Sequence, residues 1–174
     1  MSDCHIVVIT GASGAGKTTG VEALAALGVP GVRCFYFDSI GVPSAEVMER
    51  DFGTGENWQA FATADWLERL SILPDDVRVA VLDGQVRPSF VFDAADRASR
   101  RIVHVVLLDC SSEIRCTRLG ARQQPELASE RMDNWAAYLR GQADALHLDV
   151  IDTTSLTVAE VARRLDAFVR RLMA

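Results

Sequence analysis

Hydrophobic and polar positions along this chain follow two rhythms. Five short runs, HIVVIT (5–10), RCFYFD (33–38), VRVAVLD (77–83), VHVVLLD (103–109) and LDVIDT (148–153), are rich in consecutive β-branched and apolar residues. They are too short for core helices, and too continuous for strands with one solvated face. Between them, apolar positions recur at three- and four-residue steps, as helices with one buried side require. Val21, Leu24 and Leu27 follow the first run in this way, and Val158, Val161, Leu165, Phe168 and Leu172 form the stripe of the last helix. Arg163, Arg164, Arg170 and Arg171 fall mostly off that stripe and read as a solvated face, while Thr157 and Glu160 have the spacing of a capping box. The segment 39–73 between the second and third runs reads as helical insert rather than coil. Strand and helix therefore alternate along the whole chain. This predicts an α/β fold: a five-stranded parallel sheet with helices on both faces, three layers within one domain spanning 1–174.

Composition agrees with that class and narrows the partners. The chain has 174 residues, 49% of them hydrophobic and 24% charged, with no repeat, low-complexity tract or linker. Its net charge of −6 argues against a general nucleic-acid binder, which needs clustered cations to displace counterions. No apolar run approaches the ~18 residues of a membrane span, and the N-terminus lacks a basic-then-apolar secretion layout. A cytoplasmic protein without nucleic-acid or membrane partners is expected. Cys4, Cys34, Cys110 and Cys116 form no C-x-x-C pair, so free thiols are expected over a metal or disulfide framework. His5, His104 and His147 each adjoin an apolar run and read as core or edge residues.

The chemistry begins at GASGAGKTT (11–19), between the first strand and the first helix. Its spacing is G-x-x-x-x-G-K-[ST], a phosphate loop (P-loop) in the required strand-loop-helix context. Glycines let successive amides converge on phosphate oxygens, and the helix N-terminus adds unpaired N–H groups and a positive dipole end. Gly11, Ala12, Ser13, Gly14, Ala15, Gly16, Lys17, Thr18 and Thr19 are the expected nucleotide-binding residues. Lys17 would reach the β and γ phosphates, and the Thr18 hydroxyl would face Mg²⁺. Three runs end in aspartate, Asp38, Asp83 and Asp109, at the sheet edge where open parallel sheets bind ligands. Asp83 is the expected second Mg²⁺ residue; the alternative role is a cap of the following turn.

LDGQVRP (82–88) resembles the D-G-x-x-R segment of the nucleoside monophosphate kinase-like family of P-loop kinases. The resemblance implies that Arg87 contacts the acceptor's phosphate and the transferring group. RCTRLGAR (115–122), followed by QQPEL, is similar to the arginine-bearing lid of small-molecule kinases such as shikimate kinase. It implies a short lid over 118–131, with Arg115 on the nucleotide and Arg118 and Arg122 on the transferring phosphate. A solvated basic helix face is the alternative for these three arginines. The family also implies that Asp38 orients an acceptor hydroxyl, the alternative being a cap for the helix around PSAEVMER. Segment 39–73 would then form the acceptor site, with Arg50, Trp58, Gln59, Phe61 and Trp66 as candidate linings; Asn134, Trp135 and Tyr138 read as structural. Signatures of adenylate, thymidylate and guanylate kinases are missing from 39–73, and Gly84 does not open the glycine run of shikimate kinase, so the acceptor stays open. The expected function is phosphoryl transfer from MgATP to a small metabolite or nucleotide, through Lys17, Asp38, Arg87, Arg118 and Arg122. The alternative is an ATP-binding regulatory protein with no small-molecule acceptor.

Overall fold

The computed structural model describes residues 4–98 and 101–174. In chain order its elements are β1 (His5–Thr10), α1 (Lys17–Ala26), β2 (Val32–Tyr36), α2 (Ala45–Phe52), α3 (Gly55–Ser71), β3 (Val79–Asp83), α4 (Pro88–Ala98), β4 (Ile102–Asp109), α5 (Ser112–Ala121), α6 (Glu130–Ala145), β5 (Asp149–Asp152) and α7 (Val158–Met173). All five apolar runs are strands, and every pairing is parallel. The sheet order is β2-β3-β1-β4-β5, so the chain reverses direction across the sheet beside β1. That places the β1–α1 loop at the crevice where such sheets bind ligands.

Side chains of β1 alternate between the two faces. Val7 and Ile9 pack with Val21 and Leu24 of α1 and with Val161, Leu165 and Phe168 of α7. Ile6 and Val8 pack with Ala62, Trp66, Leu67 and Leu70 of α3 and Val91 of α4. A smaller cluster of Leu107, Leu139 and Ala143 seats α6 against β4. The central strands β1 and β3 are buried along their whole length, which explains their unbroken apolar runs, whereas the edge strand β2 is half-buried.

The α7 reading holds in detail. Thr157 accepts from the Glu160 amide and Glu160 accepts from the Thr157 amide, a complete capping box, and Arg163, Arg164, Arg170 and Arg171 are exposed. Val158 is the exception on the stripe: it stands 48% exposed in the first turn. The insert between β2 and β3 is helical, as expected, and forms α2 and α3. Within the range 118–131 expected to be a lid, residues 118–121 complete α5 and 130–131 begin α6, leaving 122–129 as the link between helices. Cys34, Cys110 and Cys116 are free thiols, although Cys34 is only half-buried and Cys116 is exposed. His5 and His104 meet on adjacent strands at 3.1 Å, while His147 lies exposed in a turn with φ 53°. Among the described residues no helix is long and apolar enough to cross a membrane.

Candidate active site

The loop between β1 and α1 is shaped by what it must pass. At Gly11 an added Cβ would lie 2.3 Å from the Leu108 carbonyl oxygen, and Gly14 has φ 84°, a conformation side chains disfavour. The loop thus runs tight against β4 before opening into α1, whose first-turn amides have no intrahelical partner. Its position is pinned from both sides. Thr10 Oγ1 donates to the Val86 carbonyl at 2.7 Å and accepts from the Val86 amide, and Ser13 Oγ sits 3.0 Å from Gln85 Oε1. On the other side Thr153 Oγ1 meets the Ala15 carbonyl at 2.8 Å. Thr153 and Gln85 went unremarked in the sequence; each follows a strand at the ligand edge, the signal that marks them.

A cavity of about 520 Å³ opens over this loop, lined by Ser13, Gly14, Gly16, Lys17 and Thr18 together with Asp38, Asp83, Gln85 and Arg122. Lys17 Nζ donates to the Ala12 carbonyl at 3.1 Å. Burial pushes its ammonium below the ordinary lysine value, and the charges of Asp83 and Asp38 oppose that shift. Thr18 Oγ1 donates to Asp83 Oδ2 at 2.6 Å, joining the two residues expected at the metal. Asp83 is buried and its other oxygen, Oδ1, has no hydrogen-bond partner among the described residues. Burial raises its pKa, against the opposing effects of the Thr18 hydroxyl and the Lys17 charge. Asp83 caps no turn. An orphaned carboxylate oxygen beside a hydroxyl is a donor set that fits Mg²⁺, a hard cation satisfied by oxygens. Among the described residues no group of three or more acidic, histidine or cysteine side chains is placed to hold a metal, so phosphate oxygens would have to complete that shell.

Asp38 lies just beyond β2, not within it. The strand stops at Tyr36 because Phe37 turns inward to pack over Gly84, and residues Phe37–Ile40 form a 3₁₀ turn. This leaves the Asp38 carboxylate exposed on the cavity wall. The cap of α2 is Ser44, which accepts from the Val47 amide, so Asp38 does not serve that helix.

The two arginines of α5 and Arg122 just past its end divide. Arg115 is buried, donates to the Cys110 carbonyl at 3.0 Å and pairs with Asp133, and its stem supports Gly14 from behind. It is not among the residues lining the cavity over the loop: three- and four-residue spacing orders these side chains on one face but does not make them equally deep. Arg118 donates to the Thr153 carbonyl at 2.7 Å and borders a third hollow, about 170 Å³, formed with Thr19, Leu156 and Val158. Arg122 donates to Thr19 Oγ1 at 2.8 Å and lines both this hollow and the main cavity. No uniformly solvated basic face exists here.

Arg87 faces elsewhere, into a second cavity of about 820 Å³ between α3, the β3–α4 loop and α6. Its guanidinium donates to Gln59 Oε1 at 2.8 Å, pairs with Glu56 at 3.1 Å and lies 4.9 Å from the Trp135 ring centre. Of the expected linings Trp58 and Gln59 are present. Trp66 is instead a core residue donating to the Phe37 carbonyl, Phe61 is 59% exposed against Phe52, and Arg50 is exposed and paired with Asp51. Asn134, Trp135 and Tyr138, read from sequence as structural, supply the opposite wall. Only tertiary contact reveals them.

Gln85 and Leu127 line both large cavities, so the two meet there. A phosphate loop, an oxygen pair suited to Mg²⁺ and a second cavity opening beside it are now in place, and solved structures share the fold. The chain has the P-loop NTPase fold. It is similar to a shikimate kinase from Acinetobacter baumannii in complex with shikimate, at TM-score 0.63 and 17% identity, covering 98% of this chain and 94% of that one. A gluconokinase from Sinorhizobium meliloti 1021 aligns at TM-score 0.67 and 21% identity over 99% and 94% of the two chains. The Deinococcus radiodurans tunicamycin resistance protein aligns at TM-score 0.66 and 18% identity over 95% of each. No family model matches the chain, and no curated protein matches it in sequence.

Proposed function

We propose that this protein is an ATP-dependent phosphotransferase that moves the γ-phosphoryl group of MgATP to a hydroxyl of a small acceptor. The observation that carries this reading is the pair of cavities meeting at Gln85 and Leu127. A regulatory nucleotide switch needs only the first cavity. A second, larger one built from the insert helices gives an acceptor a place to wait beside the phosphates.

In this reading the loop amides and Lys17 hold the β and γ phosphates, and the nucleoside end extends past Thr19 into the hollow bordered by Arg118, Leu156 and Val158. Thr18 and Asp83 hold Mg²⁺, which when bound offsets the charge on the phosphate oxygens. Asp38 accepts a hydrogen bond from the acceptor hydroxyl. The hydroxyl oxygen bonds the γ phosphorus, the bond to the bridging oxygen breaks with its electron pair leaving on ADP, and the proton passes to Asp38 and then to solvent. Arg122 and the link 122–129 act as the lid: release of Arg122 from Thr19 lets its guanidinium reach the transferring group and exclude water.

The test is ADP formation from MgATP with and without pooled small hydroxylated compounds, with Lys17→Ala as control. Arg87→Ala separates the two functions: it should leave ATP binding intact and remove acceptor-dependent turnover. ATP binding with no stimulation by any pool would favour the regulatory alternative.

A further inference from the structure

We infer that the second cavity is built for an uncharged acceptor that carries a flat heteroaromatic ring as well as its reactive hydroxyl, and not for a phosphomonoester. This rests on the phosphotransferase reading above.

The walls give the shape. Trp58 from α3 faces Trp135 and Tyr138 from α6 across the cavity, with Met48 and Met132 among the remaining lining. Trp135 and Tyr138 are three apart on one helix and their rings stack at 5.3 Å with planes 20° apart. Trp58 is braced edge-on by Phe37, 6.0 Å away at 88°. Rigid aromatic surfaces of this kind lose little entropy on binding and favour a flat ring, and methionine sulfur adapts to its edge.

The charges give the sign. The ionisable groups lining the cavity are Glu56, Glu126, Arg87 and Arg131, which sum to zero. Arg87, the cation nearest the phosphate-loop side, is already paired with Glu56, bonded to Gln59 and set over the Trp135 and Tyr138 rings at 4.9 and 5.9 Å. A phosphomonoester dianion would have to displace Glu56 from Arg87, and a cationic acceptor would meet the guanidinium itself. A neutral ring does neither. Heteroatoms on the ring would find partners in Ser129 and Asn134 of the lining, which a plain hydrocarbon ring would leave unused. Its hydroxyl would reach forward past Gln85 to Asp38, where its oxygen takes the γ-phosphoryl group and its proton is given up to Asp38.

The experiment is ADP formation by the full chain with MgATP and one of three pools: ribonucleosides with pyridinemethanols, ribonucleoside monophosphates, or gluconate with shikimate. The first pool should stimulate turnover at least about tenfold over the acceptor-free rate. Trp135→Leu should then raise KM for the stimulating compound about tenfold or more, the scale of lost ring stacking, with KM for ATP unchanged. Trp135→Phe, which keeps a ring and loses the N–H, should raise it less. Stimulation only by the monophosphates, or only by gluconate and shikimate, would overturn the ring assignment and leave the phosphotransferase reading standing. ATP binding without stimulation by any pool would overturn both.

Discussion

Gly84 is where the fold and the chemistry meet, and replacing it with alanine tests the connection. Its φ lies outside the left-handed region, so the backbone itself accepts a side chain. Space does not: an added Cβ would lie 2.7 Å from Phe37 Cβ and 3.1 Å from its Cγ. The obstructing atom is the root of a buried side chain and cannot swing away. Phe37 must move, and its carbonyl holds Trp66 Nε1 at 3.0 Å while its ring braces Trp58. Overpacking of this kind costs about 1–3 kcal/mol. For a domain of this size each kcal/mol is worth roughly 2–4 °C in Tm, so a fall of roughly 2–12 °C is expected. The displaced turn carries Asp38, so acceptor-dependent turnover should fall while nucleotide affinity, set by the loop on the other side of β3, is retained. Thermal unfolding by circular dichroism and titration with a nucleotide give the two readouts. An unchanged Tm together with unchanged turnover would refute the claim that Phe37 packing over Gly84 sets the position of Asp38.

Three further outcomes follow from the site. Lys17→Ala should weaken ATP binding roughly 10- to 150-fold, the loss of a charge-assisted contact of about 1.5–3 kcal/mol, as measured by calorimetry. For Asp83→Asn, the sign follows from the raised pKa of Asp83: in the ligand-free protein its ionised form is disfavoured, a cost present above the folded pKa and relieved as pH falls through it. The Tm of the asparagine variant relative to wild type should therefore climb as pH rises through and above the ordinary carboxylate range, then level off, while Mg²⁺-dependent nucleotide binding is lost; a flat or falling difference would contradict burial as the cause. Arg115→Ala should cost about 2–3 kcal/mol in urea unfolding through its lost hydrogen bonds and stem packing; a variant of full stability with weakened ATP binding would restore the expected nucleotide contact.

The parts of this fold that were legible in the sequence are those set by local pattern. Central strands buried on both faces must be apolar throughout, so β1 and β3 announce themselves, and the Thr157–Glu160 box marks the start of α7. The phosphate loop is legible because its geometry demands glycine at fixed spacing. Depth is not. Arg115, Arg118 and Arg122 follow one helical spacing, yet the packing of α5 behind Gly14 buries the first, braces the second and leaves the third at the cavity. RCFYFD reads as one strand to Asp38, but a side chain far along the chain, or rather its absence at Gly84, draws Phe37 inward and ends β2 early. The wall of the second cavity was the least visible, because Trp135 and Tyr138 gain meaning only when α6 folds across Arg87.

Transfer to a small acceptor, hydrolysis and mere binding of nucleotide leave the γ-phosphoryl group in three different places. The most direct measurement follows the label of γ-³²P-ATP incubated with the wild-type chain, Mg²⁺ and the acceptor pools. Label appearing in a small organic phosphate, and not with Lys17→Ala, is the result this account predicts. Label confined to ATP and inorganic phosphate in every pool would contradict it.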